Sequence, residues 1–441
     1  MTPTGTAGPD RAGADGTGPD SRPLLLLITT GGRLYREYLL RSIRTRFRVH
    51  LLLGTEPSWE LDYLYGFTIL SDLTSTTDVA EMVAAAREVI AREPIDGVLS
   101  WDEARILQSA KVAAALALPG GDPDMIMRCR DKRLTRQALA AAGVPQPQSI
   151  LTANLDQAVA AAEQIGYPVV LKPRALAASL GVVRADSLDE LTARYGFAHD
   201  TTFTGAWEYD MPVLVEEYLT GPEISVDAAV YHGQVLPMFV ARKQIGYEPY
   251  FEEIGHVVDA ADPLMTDPEI LRILAETHAA LGFTDGMTHT ELKLTESGPK
   301  IIEVNSRLGG DLIPYLGLRA TGIDPGLAAA DIACGQRPQI VADRKLVGAV
   351  RFFYVDRERT TIDTVAFDPA GLPEAVDRIE PLVKAGDVVS PPPAGTLFGR
   401  VAIATAVAET AAECQAALDA ATAALSVRAA ASGGEQPVPK Q

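Results

Sequence analysis

The most informative part of this sequence is a pair of short stretches, His289-Thr-Glu291-Leu-Lys293-Leu294 and Lys300-Ile-Ile-Glu303-Val-Asn305. Both alternate in polarity, and the Gly and Pro between them predict two antiparallel strands joined by a turn. If the turn takes five residues, Glu291 lies directly opposite Glu303, because residue numbers in an antiparallel pair add up to a constant. Asn305 lies two residues after Glu303 and shares its strand face.

This predicted hairpin brings two carboxylates and an amide oxygen together. Carboxylates held so close repel each other unless a cation lies between them. Oxygen-only ligands suit Mg²⁺, with Mn²⁺ as the alternative cation, rather than Zn²⁺. The hairpin therefore indicates a metal site, although an exposed hairpin with scattered charge is an interpretation that the residues alone leave open.

Two lysines that precede the hairpin are candidates for binding phosphate oxygens. Lys132 opens a predicted helix and Lys172 ends a predicted strand, so each presents a separately placed cation. A small-residue loop at 174–182 follows Lys172, and its backbone N–H groups are suited to cover phosphates. The sequence contains no Walker A motif, so a phosphate site here is of another kind. A surface position is the alternative interpretation for either lysine alone.

An acidic hinge follows a strand predicted at residues 213–217. It reads Glu216-Glu217-Tyr218-Leu219 and continues into Gly221-Pro222-Glu223. Carboxylates here can accept hydrogen bonds from an adenine amino group and a ribose hydroxyl, while the backbone pairs with the ring nitrogens. Acidic loop residues are usually just solvated, and the pattern alone leaves that alternative open.

The chain divides into several α/β units between two polar tails. A strand from Leu24, a helix and another strand predict an N-terminal βαβ domain, and Glu103 follows its third strand, at the sheet edge where ligands gather. Asp131 and Gly143 suit the two ends of a linker helix. We predict a disordered tail at 1–22, the N-terminal domain at 23–128, a central domain at 129–335 with a flap subdomain at about 145–215, a C-terminal domain at 336–428 and a disordered tail at 429–441.

Composition narrows the class of protein. At 441 residues the chain is long enough for several packed subdomains. Its net charge of −19, with no basic patch, disfavours nucleic acid and anionic membranes as partners. The N-terminus lacks the pattern of a signal peptide or anchor. The three cysteines, Cys129, Cys334 and Cys414, form no disulfide pattern, which predicts free thiols and a cytoplasmic location.

The order of these motifs resembles that of the ATP-grasp superfamily. The matching stretches are DK at 131–132, VVLKP at 169–173, the small-residue loop, VEEYLTGPEISV at 215–226, HTELKL at 289–294 and IIEVNSRLGGD at 301–311. The resemblance covers roughly residues 95–335 and includes the spacing between Glu291 and Glu303. It implies an α/β ATP-grasp fold with an N-terminal βαβ domain, two α+β ATP-binding subdomains and a small C-terminal α+β domain.

The resemblance also implies roles for single residues. The implied cofactors are ATP and Mg²⁺, with Mn²⁺ as the alternative, and the implied metal ligands are Glu291, Glu303 and Asn305. The implied ATP-binding residues are Lys132, Lys172, Ser179, Gly181, Val182, Glu216, Tyr218, Leu219 and Glu223. Arg307 is similar to the arginine that steadies the transferring phosphoryl group, and Lys243 is implied to approach the same phosphate. The flap departs from the glycine-rich form common in the family, because Ala and Leu replace glycines.

The implied activity is that of a carboxylate–amine ligase, which forms an acyl phosphate from ATP and a carboxylate and then an amide. The motifs most resemble those of L-amino-acid ligases, for which the implied substrate-binding residues are Glu103, His256, Gly309 and Gly310. Small-molecule substrates are expected, and a homodimer is one implied assembly. The alternatives are a carboxylase that uses bicarbonate and a nucleotide sensor without turnover. No appended biotinyl domain is recognised, which argues against a self-sufficient carboxylase.

Overall fold

The structure is a computed structural model that describes residues 4–5, 20–71, 79–201 and 212–430. Most of the predicted N-terminal tail and residues 431–441 of the predicted C-terminal tail lie outside these ranges. Within them, no helix is both long enough and apolar enough to cross a lipid bilayer. Cys129 and Cys414 are buried, Cys334 is half-buried, and all three are free thiols, as expected.

The N-terminal region forms a mainly parallel five-stranded sheet, as its βαβ pattern predicts. Its elements are β1 (Thr4–Gly5), β2 (Leu24–Ile28), α1 (Arg33–Ile43), β3 (Arg48–Leu53), β4 (Gly66–Ile69), α2 (Val79–Ile90) and β5 (Gly97–Leu99). The strand order is β1, β4, β3, β2, β5, with β1 antiparallel to β4. Alternate residues of β2 enter two different hydrophobic clusters, so both faces of this strand are covered and its residues are apolar throughout.

Three helices connect this sheet to the next unit: α3 (Ile106–Ala115), α4 (Pro123–Arg130) and α5 (Lys132–Ala142). Asp131 caps α5 by accepting hydrogen bonds from the backbone N–H groups of its first turn. Gly143 ends α5 in the left-handed region, at a φ of 71°. Both helix ends are those that the sequence predicts, and they fix Lys132 at the first position of the helix.

The flap subdomain is a four-stranded antiparallel sheet with two helices. Its elements are β6 (Ser149–Thr152), α6 (Leu155–Ile165), β7 (Val169–Pro173), β8 (Val183–Ala185), α7 (Leu188–Asp200) and β9 (Val213–Glu217). The strand order is β6, β9, β7, β8. The two inner strands pair so that Val170 lies opposite Glu216, which places the side chain of Lys172 diagonally beside Glu216 on the same face.

The rest of the described chain is built around a large antiparallel sheet. Its region contains the strands β10 (Glu223–Tyr231), β11 (Gln234–Gly246), β12 (Glu252–Asp259), β13 (Gly286–Thr295), β14 (Gly298–Asn305), β15 (Val347–Tyr354), β16 (Thr360–Phe367), β17 (Val376–Pro381), β18 (Val388–Val389), β19 (Arg400–Ala408) and β20 (Leu425–Ala429). The helices are α8 (Pro268–Leu281), α9 (Ile313–Thr321), α10 (Pro325–Ala333) and α11 (Ala411–Ala424). The last strand, β20, ends at the first residue of the predicted C-terminal tail.

Eight of these strands form one continuous sheet in the order β14, β13, β10, β11, β12, β15, β19, β17, and β18, β16 and β20 form a smaller one. The large sheet continues without a break from the predicted central domain into the predicted C-terminal domain, because β12 pairs with β15. The domain boundary at 335 stays a prediction from composition. The strands before and after residue 335 belong to one sheet.

Helix α8 buries a histidine behind the strands that carry the predicted metal ligands. His278 Nδ1 donates to the carbonyl of Leu274 at 2.7 Å, and its Nε2 accepts from the hydroxyl of Thr288 at 3.1 Å. A neutral ring with its proton on Nδ1 makes both contacts. Burial favours the same form and lowers the pKa of His278 to about 4.

We expect His278 to make the fold sensitive to acid. A histidine whose pKa falls on folding stabilises the fold above its unfolded pKa of 6.5, and this contribution is lost as the pH falls from there through about 4. The full loss is on the order of 3 kcal/mol. Denaturant unfolding of the wild type and of His278→Gln, from about pH 7 to about pH 4, measures it. The difference in stability between the two should shrink by that amount, and a constant difference would contradict the prediction.

Candidate active site

The predicted hairpin is formed by β13 and β14, and it places Glu291 opposite Glu303 as expected. The five-residue turn assumed for it is wrong, because Thr295 already pairs with Gly298. A β-bulge just after Glu291 adds one residue, Ile302, to the opposite strand and restores the register. The two carboxylates therefore face each other through a shorter turn and a bulge.

A single cavity at this hairpin brings most of the predicted residues together. The predicted residues that line it are Lys132, Lys172, Ser179, Val182, Glu216, Tyr218, Leu219, Glu223, Glu291, Glu303, Asn305, Arg307 and Gly310. The other predicted residues are not part of its lining, namely Gly181, Lys243, Glu103, His256 and Gly309. The lining comes from the flap sheet on one side and from the large sheet on the other.

The two lysines predicted to bind phosphate are held by acidic and carbonyl oxygens. Lys132 Nζ lies 3.2 Å from Glu303 Oε1 and donates to the carbonyl of Leu176 in the flap at 2.5 Å. Lys172 Nζ lies 2.5 Å from Glu216 Oε2. Both ammonium groups border the cavity, so the structure presents two cations, one from the linker helix and one from the flap sheet.

Glu216 is the centre of a buried ion-pair network that the sequence analysis missed. Its Oε1 lies 2.7 Å from Arg136 Nε and its Oε2 binds Lys172, and the carboxylate side chain is 3% exposed. Burial opposes ionisation, but Arg136 and Lys172 lower the pKa of Glu216 to about 2. Arg136 also donates to the carbonyl of the bulge residue Ile302 at 2.8 Å. Glu216, predicted near the adenine amino group, thus also ties the flap sheet to the hairpin.

Lys243 lies beneath the cavity wall and contacts three carboxylates. Its Nζ is 2.6 Å from Glu253, 2.8 Å from Glu291 and 3.2 Å from Glu223, and its side chain is 1% exposed. Burial favours the neutral amine, but the three carboxylates raise the pKa of Lys243 well above its usual value. The charged amine therefore holds the acidic wall together, and its approach to a phosphate stays a prediction.

His289 belongs to the quoted hairpin but was not singled out by the sequence analysis. Its Nδ1 lies 2.9 Å from Asp227 and its Nε2 lies 3.3 Å from Glu291. Burial alone would lower the pKa of His289, but the two carboxylates raise it to about 9, so the ring is charged and donates to both. Asp227 also accepts from the backbone N–H of Gly309 at 2.8 Å. The network orients one metal-ligand candidate and fixes the predicted substrate residue Gly309.

Arg307 points into the cavity from the end of β14 and binds Glu103 of the N-terminal domain. Arg307 Nε lies 2.5 Å from Glu103 Oε2, and Arg130 Nε lies 3.4 Å from the other oxygen. Burial opposes ionisation of Glu103, but Arg307 and Arg130 hold its pKa below the usual range. Glu103, predicted to bind a substrate, is thus ionised and in contact with two guanidinium groups.

A second acidic cluster borders the same cavity and contains the predicted substrate residue His256. The ligand atoms of Glu253, His256 and Asp311 lie within 4.8 Å of one another, which is close enough to hold a metal ion. Cations already neutralise this cluster: Lys243 contacts Glu253, and Arg400 binds the two oxygens of Asp311 at 2.6 and 2.8 Å. The metal ligands that the sequence predicts lie instead on β13 and β14, and we assign no metal to this cluster.

The flap adopts a backbone that normally favours glycine. Ala178 and Ser179 have φ values of 55° and 54°, in the left-handed region, and Gly181 follows at 73°. Side chains with a Cβ adopt this region at a cost of about 1–2 kcal/mol each. The backbone N–H of Val182 donates to the carbonyl of Ser179 at 3.0 Å and closes the turn. The flap is therefore a tight, strained turn, and Ser179 and Val182 line the cavity.

The residues present fit a nucleotide with a divalent cation. Glu291, Glu303 and Asn305 line the cavity. Their side-chain oxygens are the type of ligand that Mg²⁺ and Mn²⁺ prefer. Lys132 and Lys172 border the same space and can neutralise phosphate oxygens. The hinge residues at 216–219 and Glu223 line the remaining side, where a base and a ribose would lie.

Comparisons with known proteins agree with this geometry. A family model described as an ATP-grasp domain matches residues 165–314. The uncharacterized protein y4rH of Sinorhizobium fredii is 30% identical over 377 residues, which cover 83% of this chain and 75% of that protein. Alanine–anticapsin ligase of Bacillus subtilis is 26% identical over 277 residues, which cover 58% of this chain and 57% of that enzyme. The structure of an L-amino acid ligase from Bacillus licheniformis matches with a TM-score of 0.75 and 22% identity, covering 93% of this chain and 99% of that one.

The chain belongs to the ATP-grasp superfamily, and the predicted fold class is confirmed. Within that superfamily it is an ATP-dependent ligase, as its motifs indicate. The alignment covers little more than half of the length of alanine–anticapsin ligase. The substrates therefore have to be inferred from the site of this chain itself.

Proposed function

We propose that this protein uses ATP to join a carboxylate to an amine, with amino acids as substrates, and that it releases ADP and phosphate. The main support is that one cavity is lined by the opposed carboxylates Glu291 and Glu303, by two lysines and by Arg307. Similarity to ligases named for amino-acid substrates favours amino acids here. A homodimer stays a prediction.

The chemistry that this site can perform is phosphoryl transfer by alignment and charge neutralisation. Lys132 and Lys172 bind phosphate oxygens, and Glu291, Glu303 and Asn305 hold Mg²⁺ or Mn²⁺. A cation in that place supplies positive charge to the phosphate oxygens. Arg307 remains charged at any relevant pH, and its planar fork matches the oxygens of a carboxylate or phosphate.

The reaction needs no nucleophile from the protein. A substrate carboxylate oxygen attacks the γ-phosphorus, the bond from that phosphorus to the bridging oxygen breaks, and ADP leaves. The amine nitrogen then attacks the acyl carbon, the carbon–oxygen bond breaks, and phosphate leaves with an amide formed. The flap forms part of the cavity lining, and we propose that it shields the acyl phosphate from water.

The two alternatives differ in what the site has to do. A carboxylase would bind bicarbonate where we place the substrate carboxylate, so the same lysines, Arg307 and metal ligands would serve both reactions. A nucleotide sensor needs affinity but no group beside the transferring phosphoryl. Arg307 lines the cavity together with the three candidate metal ligands, which favours an enzyme over a sensor.

We expect ATP turnover to require both a carboxylate and an amine and to fall by at least about 1000-fold in Glu303→Gln. Loss of one cation ligand removes several kcal/mol of charge stabilisation, and each 1.36 kcal/mol corresponds to a tenfold change in rate. The assay scores ADP, phosphate and new amide mass across single and paired amino acids with Mg²⁺. Glu296→Gln is the matched control, because Glu296 lies exposed in the turn of the same hairpin.

Each outcome of this assay separates the candidate functions. An amide that needs both partners and disappears in Glu303→Gln but not in Glu296→Gln supports the ligase. Turnover that depends on bicarbonate would replace the proposal with the carboxylase. Tight ATP binding without turnover for any pair would replace it with the sensor.

A further inference from the structure

A second cavity lies between the N-terminal domain and the hairpin. Its walls come from β5 and α3 on one side and from β13 and the segment after β14 on the other. Arg307 lines this second cavity as well as the active-site cavity, so the two cavities meet at this residue. Most of the other side chains of the second cavity are apolar and buried, among them Val98, Trp101, Ile106, Ala110, Met287 and Leu308.

One polar side chain of the second cavity has no partner. Ser306 is 8% exposed, and its buried hydroxyl forms no hydrogen bond with any residue that the structure describes. Two other polar side chains of the lining are paired. Ser100 Oγ donates to the carbonyl of Ile28 at 2.9 Å, and Trp101 Nε1 donates to the carbonyl of Thr30 at 2.7 Å. Buried hydroxyl groups are normally paired, so the hydroxyl of Ser306 indicates a ligand atom in this cavity.

The volume of the second cavity limits the size of that ligand. The cavity measures about 70 Å³. A single water needs about 10–15 Å³, so the cavity has room for a group of about five non-hydrogen atoms. Ligand pockets are mostly apolar and contain a few polar groups that fix orientation, and Ser306 and Arg307 are such groups here. A short side chain fits this space, whereas a nucleotide does not.

We propose that the second cavity binds the side chain of the amino acid whose carboxylate ATP activates. This inference rests on the proposed ligase function, in which Arg307 steadies the acyl phosphate. The side chain of an α-amino acid branches from the carbon next to that carboxylate. A carboxylate beside Arg307 therefore places the side chain next to the second cavity. The favoured substrates have a short apolar stem, which contacts the walls, and one hydrogen-bonding group, which pairs with Ser306.

Replacing Ser306 with alanine tests the polar part of this subsite. Threonine and valine, homoserine and norvaline, and asparagine and leucine are three pairs of similar shape in which only the first member has a polar side-chain group. We expect Ser306→Ala to lower kcat/KM for the polar member, relative to its apolar partner, by about 3- to 10-fold in at least one pair, because one hydrogen bond is lost. Hydroxylamine serves as the amine, since it traps an acyl phosphate as a hydroxamate and reports the activated acid alone.

A second serine of the same hairpin provides the matched control. Ser297 lies exposed in the turn, so Ser297→Ala should give the wild-type ratio in every pair. If Ser306→Ala also gives the wild-type ratio in all three pairs, the inference is overturned.

Replacing Ala110 with leucine tests the apolar part of the subsite. Ala110 lines the second cavity but not the active-site cavity, so a larger side chain there takes up space that the substrate side chain would use. We expect kcat/KM for leucine, relative to that for glycine, to fall by about 10-fold or more in Ala110→Leu. Ala114→Leu is the control, because Ala114 is exposed on the same helix. An unchanged ratio in Ala110→Leu would identify the cavity as a packing void and overturn the inference.

Binding measured without turnover separates this inference from the proposed function. Calorimetric titration of glycine and the six other amino acids into the protein with MgADP should show the same changes in relative affinity in Ser306→Ala and Ala110→Leu. A wild type that forms neither amide nor hydroxamate would refute the proposed ligase, and the titration would still decide whether the second cavity binds a side chain. A Tm within a few degrees of the wild type shows that each variant is folded. Ser306→Ala removes a single atom, so it keeps the test available if Ala110→Leu does not fold.

Discussion

Replacing Arg307 with glutamine is expected to lower kcat by about 1000-fold or more while ATP still binds. The guanidinium lines the cavity beside the metal-ligand candidates, and the two lysines proposed to bind phosphate come from other elements, α5 and β7. Removal of Arg307 should therefore affect the transition state, in which charge spreads over the transferring group, far more than the bound nucleotide. Steady-state kinetics and an equilibrium titration of ATP measure the two effects separately.

A control arginine tests whether the effect is specific to this position. Arg133 is exposed on α5, one residue after Lys132, and Arg133→Gln should leave both kcat and ATP affinity unchanged. A kcat of Arg307→Gln within about tenfold of the wild type would contradict the prediction. Arg307 would then serve only to hold Glu103 at the domain contact.

Replacing Glu216 with alanine is expected to destabilise the fold by about 3–5 kcal/mol. The carboxylate is buried and binds Arg136 through one oxygen and Lys172 through the other. Its removal leaves two buried cations without an acidic partner, and it breaks the link between α5, the flap sheet and the hairpin. Denaturant unfolding of the variant and the wild type at neutral pH gives the change in unfolding free energy.

The neighbouring glutamate provides the matched control. Glu217 is 32% exposed in its side chain and contacts Lys300 at 3.0 Å, so Glu217→Ala should cost about 1 kcal/mol or less. The two variants remove the same group from adjacent residues of one strand. Equal costs would show that burial and the double ion pair of Glu216 add nothing to stability.

The sequence predicted the opposed carboxylates correctly even though it predicted the wrong turn. Alternation in polarity assigns the strand faces of β13 and β14, and this information resides in the residues themselves. The bulge at Ile302 has no such signal in the strand pattern, and its carbonyl accepts a hydrogen bond from Arg136, which lies on a distant helix. The turn that was predicted too long and the bulge that was not predicted cancelled each other, and Glu291 still lies opposite Glu303.

The side chains that contact the predicted site residues were harder to predict than the site residues themselves. Glu216 and Arg136 are 80 positions apart, and no periodicity connects residues on different elements. Arg136 had one usable signal, since it lies four residues after Lys132 and shares its helix face. Asp227 had none, because its role depends on the approach of His289 from β13, and nothing in the sequence of β10 indicates that contact.

The pairing of β12 with β15 also defines how short this protein can be made. Every residue that we place around the cavity precedes α10. A version of the protein that stops at residue 335 would therefore retain all of the proposed active-site residues. Such a version would expose the β12 edge, with the backbone beside His256 no longer hydrogen-bonded to the backbone of Val350. An uncovered edge of this kind pairs with other chains and promotes aggregation. The shortest version that folds is consequently longer than the shortest version that contains all of the proposed active-site residues. It extends at least through β19, which completes the large sheet.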